Sequence, residues 1–137
     1  MEHQGAVICE RLERLTIVRV LVIDDEKFVA DTLVLILKQF GREATAAYNG
    51  HSALESAEVF RPNVVISDVI MPGMNGIETC KRIQSKFPRC HILLFSGQAA
   101  TSDLVREART EGFKWELLAK PIEPEELLSK LDSFNTA

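Results

Sequence analysis

The sequence predicts a doubly wound α/β sandwich, five parallel strands covered on both faces by five helices. Three observations carry this. The most apolar runs, "VRVLVI", "NVVISDV" and "CHILLFSG", show no in–out alternation, as expected of strands buried on both faces. Each strand-like run is followed by a segment whose apolar residues recur at helical spacing. Gly or Pro punctuates most changes of period. Strict alternation of strand and helix is the pattern of a parallel sheet with helices on its faces.

The elements follow in order. "VRVLVI" stops at three acids, Asp24, Asp25 and Glu26. Val29, Leu33, Ile36, Leu37 and Phe40 mark the apolar face of a first helix, which Gly41 ends. "EATAAY" is a weaker strand that reaches "NG". Ala53, Leu54, Ala57 and Phe60 mark a second helix, with Ser52 as its expected cap and Pro62 beyond its end. "NVVISDV" leads into the loop "MPGMNG"; Ile77, Cys80, Ile83 and Phe87 then mark a third helix that closes at Pro88. "CHILLFSG" is the fourth strand. "TSDLVREARTEG" is the fourth helix, capped from Thr101 or Ser102 and stopped at Gly112. "WELLAKP" is the last strand, and "PEELLSKLDSF" the last helix, with Pro124 in its first turn and acids that suit the helix dipole.

The 137 residues suffice for one domain, expected over 18–134, with an extension at 1–17 and a tail at 135–137. "ERLERL" in the extension reads equally well as a short amphipathic turn or a frayed tail. A formal charge of −4 argues against nucleic acid as a direct partner. Three separated cysteines with no C-x-x-C argue against a disulfide framework or a zinc site and fit a reducing cytoplasm. "GAVIC" is too short for a secretory apolar region, and no run approaches membrane-spanning length. Trp115 reads as a packing residue before a docking one, and Cys80 and Cys90 as core fillers.

The polar residues at the strand ends carry the function. Asp24 and Asp25 end the first strand, Asp68 the third, Ser96 the fourth and Lys120 the fifth. In a parallel sheet these ends share one rim, where sites form. A solvated turn accounts for one such residue, not for the set. Two carboxylates ~4 Å apart repel by about 4 kcal/mol at an effective dielectric of 20, and Lys120 alone cannot offset three. Carboxylates, a backbone carbonyl and waters suit Mg²⁺. A metal, a lysine, a hydroxyl and a spare carboxylate make a site for phosphoryl transfer, with the carboxylate as nucleophile.

"VLVIDDE", "VVISDVIMPGMNG", "ILLFSG" and "LLAKP", in this order and spacing, resemble the receiver domain of bacterial two-component response regulators, over about residues 18–134. The resemblance implies a CheY-like sheet of order 2-1-3-4-5. It implies Asp68 as phosphoacceptor, Mg²⁺ held by the carboxylates of Asp25 and Asp68 and the backbone carbonyl of Ile70, and Asp24 acting mostly through water. Ser96 takes the place of the switch hydroxyl, Lys120 pairs with phosphoryl oxygens, and the Lys120–Pro121 bond matches one that is cis in the family. Met71, Pro72 and Gly76 match the loop after the phosphoacceptor. Ile70 and Gln98 occupy positions that tune phosphoryl lifetime. One departure concerns signalling: the position three before the lysine is usually aromatic, and here it is Leu117.

The expected protein is then a stand-alone, non-enzymatic, cytoplasmic receiver, a monomer or weak dimer. It takes phosphate from a histidine kinase or histidine phosphotransfer protein. It acts on a protein target through the face of helix 4, strand 5 and helix 5. Two alternatives remain at this point. A phosphorylation-independent binding module would fail to label with acetyl phosphate. A small aspartyl-phosphate phosphatase needs an acid two residues after its nucleophile, where this chain has Ile70.

Overall fold

The computed structural model describes residues 17–97 and 101–134, the side chains at 101 and 102 excepted. The expectations for the extension, Gln98, the cap at Thr101 or Ser102 and the tail lie outside the described part. Five strands, β1 (Arg19–Ile23), β2 (Glu43–Ala47), β3 (Val64–Asp68), β4 (His91–Ser96) and β5 (Glu116–Ala119), alternate with five helices. These are α1 (Lys27–Gln39), α2 (Gly50–Phe60), α3 (Gly76–Lys86), α4 (Thr101–Thr110) and α5 (Pro124–Phe134). All strand pairs are parallel, in the order β2-β1-β3-β4-β5.

The central strands β1, β3 and β4 are buried along almost their whole length, which is why their sequences do not alternate. Successive residues feed two opposite cores. Val20, Val22, Ile66, Leu93 and Phe95 pack with Leu33, Leu37, Leu127 and Leu131 under α1 and α5. Leu21, Ile23, Val65 and Leu94 pack with Ala53, Cys80, Ile83 and Val105 under α2, α3 and α4. Each fully buried aliphatic side chain contributes about 1.5–3 kcal/mol relative to exposure, so both layers are needed. The edge strands β2 and β5 are partly exposed, in keeping with their weaker apolar character.

Three local expectations change or resolve. The cap of α2 is Asn49, whose side chain accepts from the Ser52 N–H at 2.8 Å; Ser52 lies inside the first turn. Both residues suit capping, and backbone geometry chose the earlier one. The buried stripe of α1 is Ala30, Leu33, Val34 and Leu37, so the helix is rotated from the expected face. Phe40, expected on that face, is 52% exposed beyond the helix end. Trp115 is a packing residue: it is buried, its ring tilts against Phe113, and Nε1–H donates to Gln84 Oε1 at 3.2 Å. No helix among the described residues is long and apolar enough to cross a membrane.

Candidate phosphoryl-transfer site

Strand register assembles the site. Ile23 lies opposite Ser67, so Asp24 leaves β1 beside Asp68. Asp68 lies opposite Phe95, so Ser96 follows at the same level. Ser96 lies opposite Ala119, and the Lys120 N–H donates to the Ser96 carbonyl at 3.0 Å. The five polar residues read from separate segments therefore meet on one rim.

The neighbouring acids Asp24 and Asp25 have opposite environments. Asp24 is fully buried, with its N–H donating to the Ala47 carbonyl at 3.1 Å. Its Oδ1 accepts from the Glu26 N–H at 2.9 Å and its Oδ2 from Lys120 Nζ at 3.0 Å. Asp25 is exposed at the mouth of the site. Asp68 is 7% exposed, and its Oδ2 lies 3.3 Å from Lys120 Nζ. Ser96 is buried beside it. A cleft of about 520 Å³ opens over Asp68 and is also lined by Asp25, Glu26, Ile70, Met71, Ser96 and Lys120.

The loop after β3 folds back over Asp68 and needs glycine to do so. The Gly76 N–H donates to the Val69 carbonyl at 2.8 Å, and a Cβ on Gly76 would lie 1.8 Å from the Asp68 carbonyl oxygen. Asn75 then caps α3 by accepting from the Glu78 N–H at 2.9 Å. Gly73 holds the left-handed turn of the same loop at φ +76°. At the other side of the rim the Lys120–Pro121 peptide bond is cis, as the resemblance implied.

Burial raises the Asp68 carboxyl above its ordinary value; Lys120 pulls it down, and the charges of Asp24 and Asp25 push it up further. Burial alone would lower the Lys120 ammonium, but the hydrogen bond to Asp24 and the charge of Asp68 outweigh it and hold the group above its ordinary value. Lys120 is thus a fixed cation shared between two acids. Carboxylate oxygens of Asp24, Asp25 and Asp68 all lie within 4.8 Å of one another. Three acids facing one lysine leave an uncompensated charge, and an all-oxygen donor set of this size fits a hard divalent cation.

Two contributors were not evident from the sequence. Lys120 Nζ sits 4.8 Å from the centre of the Phe95 ring, which supports it from below. Glu26 orients Asp24 through its backbone N–H, not through its acid. The signals were faint: Phe95 directly precedes the rim serine, and Glu26 is the third acid of the run.

Comparison with known proteins agrees with this geometry. The family model for the response regulator receiver domain matches residues 20–132. The probable transcriptional regulatory protein TcrX of Mycobacterium tuberculosis is 32% identical over 83% of this chain and 48% of its own length. The DNA-binding response regulator MtrA of Mycolicibacterium paratuberculosis is 31% identical over 82% of this chain and 49% of its own. The chain spans about half the length of these curated relatives. Among solved structures, the chemotaxis protein CheY4 of Vibrio cholerae aligns with a TM-score of 0.76 at 30% identity, covering 87% of this chain and 99% of that one. A receiver domain from Clostridium thermocellum aligns at 0.78 with 25% identity, covering 86% and 94%. Sheet order, rim and family match coincide: the chain belongs to the response regulator receiver domain family, the phosphorelay signalling modules of two-component systems.

Proposed function

We propose that the chain accepts a phosphoryl group from a phosphohistidine, on a histidine kinase or a histidine phosphotransfer protein, onto Asp68. It then signals through a protein target. The observation that supports this best is the setting of Asp68: a carboxylate at the base of an open cleft, 3.3 Å from a lysine that a second acid holds in place.

An Asp68 oxygen attacks phosphorus as the bond to the donor imidazole nitrogen breaks, and the electron pair leaves with the imidazole. The transition state carries its charge on three equatorial oxygens. Lys120 meets one of them and the Ser96 hydroxyl donates to another. Asp24 is the positioning residue for the lysine. Mg²⁺ would be held by Asp25, Asp68 and the Ile70 carbonyl. Asp24 would act through water, in keeping with its two oxygens already accepting from Glu26 and Lys120. When bound there, the ion would supply charge neutralisation to the phosphoryl oxygens. The output surface in this reading is the face of α4, β5 and α5, where Leu117 is 37% exposed.

The test is incubation with acetyl phosphate and Mg²⁺ followed by intact-mass measurement. One phosphoryl adduct is expected, absent in Asp68→Asn and after EDTA. An adduct that persists in Asp68→Asn would refute the assignment, and a wild-type chain that never labels would favour a phosphorylation-independent binding module.

A further inference from the structure

The opposite pole of the same sheet carries a second concentration of charge, of the other sign. A cleft of about 370 Å³ lies at the N-terminal ends of β1, β3 and β4, lined by Arg19, Arg61, Lys86 and Arg89. The four cations come from four places in the chain: the first residue of β1, the C-terminal cap of α2, the last residue of α3 and the turn before β4. No carboxylate lines the cleft. The apolar part of its wall comes from Pro62, Phe87 and Pro88.

Two of the four cations are engaged within the fold and two face the cleft without a salt bridge among the described residues. Arg19 is the anchored member: Nε donates to the Phe60 and Arg61 carbonyls at 3.2 and 3.0 Å, and Nη2 donates to the Arg61 carbonyl at 2.8 Å. That clamp holds Arg61, whose backbone is left-handed at φ 52°, and the Arg61 guanidinium lies 5.8 Å from the Phe87 ring centre. Lys86 pairs with Glu58, an exposed acid outside the cleft. Arg61 and Arg89 form no salt bridge among the described residues, although the charge of Arg61 is felt by Glu58, and both are exposed. Four cations against one neighbouring acid, in a chain of net charge −4, form a local imbalance that the fold itself does not neutralise.

We propose that this cleft binds a compact, multiply charged anion of the oligophosphate type. The guanidinium forks of Arg61 and Arg89 match phosphate oxygens in pairs, and the clamped Arg19 adds a fixed positive charge behind them. The cleft is concave and small, and the cations converge on it. A long nucleic acid instead needs an extended basic stripe and would meet the negative remainder of the chain. This site is independent of Asp68, whose acidic rim repels phosphate when no metal is present.

Amide chemical shifts of the full chain, titrated in EDTA at low salt with inorganic tripolyphosphate, test this. Saturable shifts are expected at Arg61, Asn63 and Arg89. Arg89→Gln, and separately Arg61→Asn, which keeps a residue tolerant of the left-handed backbone, should each weaken binding about tenfold, the equivalent of one charge-assisted contact. Arg106→Gln, a cation removed from α4, should leave binding unchanged. A parallel titration with ATP separates the sources: equal affinity assigns recognition to the phosphate chain, and tighter binding assigns a nucleotide. Absence of saturable shifts at the cleft, or an Arg106→Gln effect equal to that of Arg89→Gln, would overturn the proposal.

Discussion

The two poles of the sheet share the same three central strands, with β5 adding Lys120 to one pole, yet they hold charge in different ways. At the C-terminal pole the acids sit on short side chains and the one lysine is held at both ends: Asp24 is fixed by Ala47 and Glu26, and Lys120 by Ser96 at its backbone and by Asp24 and Asp68 at its Nζ. Asp24, Asp68 and Ser96 are buried, and small shifts of register would dismantle the arrangement. At the N-terminal pole the charges sit at the ends of long side chains, three of them exposed, and only Arg19 is clamped. The contrast teaches that a site for chemistry needs register-level precision, whereas a site for an anion needs only convergence of charge around a concave surface.

Breaking the first pole should have the largest effect. Gly76→Ala places a methyl group 1.8 Å from the Asp68 carbonyl oxygen, a backbone atom that cannot swing away. Loss of stability of roughly 3 kcal/mol or more is expected in urea denaturation, with loss of acetyl phosphate labelling. A fully stable, labelling-competent variant would show that the β3–α3 loop is not held as described.

Asp68→Asn should act on stability in the opposite direction. Because the folded carboxyl is raised above its unfolded value, the native state binds the proton more tightly. Stability without metal therefore falls as pH climbs from the unfolded value of about 3.9 through the raised folded value. Removing the charge should stabilise the chain in EDTA at neutral pH by on the order of 1 kcal/mol and flatten that pH slope. Added Mg²⁺ should stabilise wild type more than the variant. Denaturation curves at several pH values, with and without Mg²⁺, decide this.

The two described thiols sharpen the comparison from within the core. Burial pushes both Cys80 and Cys90 up to about 12. Neither should react with a thiol reagent at neutral pH unless the chain is unfolded, since the thiolate is the nucleophile. Cys90 labelling in the native state would mean that the N-terminal pole opens. Smaller still is the expected cost of Arg89→Gln, within about 0.5 kcal/mol, because an exposed cation with no salt bridge among the described residues carries little of the fold. The smallest response is expected from Trp115. It packs before β5, at the end away from Lys120, so beryllofluoride should shift amides around Asp68 and Ser96 and leave its fluorescence almost unchanged.

Much of this was legible in the residues themselves. Unalternating apolar runs of strand length, rich in Val and Ile and bounded by turn residues, read as strands buried on both faces, and the helix-period segments between them as their cover, so the layer architecture follows from local pattern. The acids, serine and lysine were also readable, because each directly ends a run whose period had identified it as a strand. Tertiary structure alone decided the rest. Asp24 and Asp25 are chemically identical neighbours, and only the direction of each side chain makes one a buried hydrogen-bond hub and the other an exposed acid. The rotation of α1 depends on which of several apolar residues fit the sheet, a matter of shape that periodicity does not resolve. The basic cleft is the extreme case. Arg19, Arg61, Lys86 and Arg89 share no motif or spacing, and they meet only because parallel strands bring distant segments to one edge.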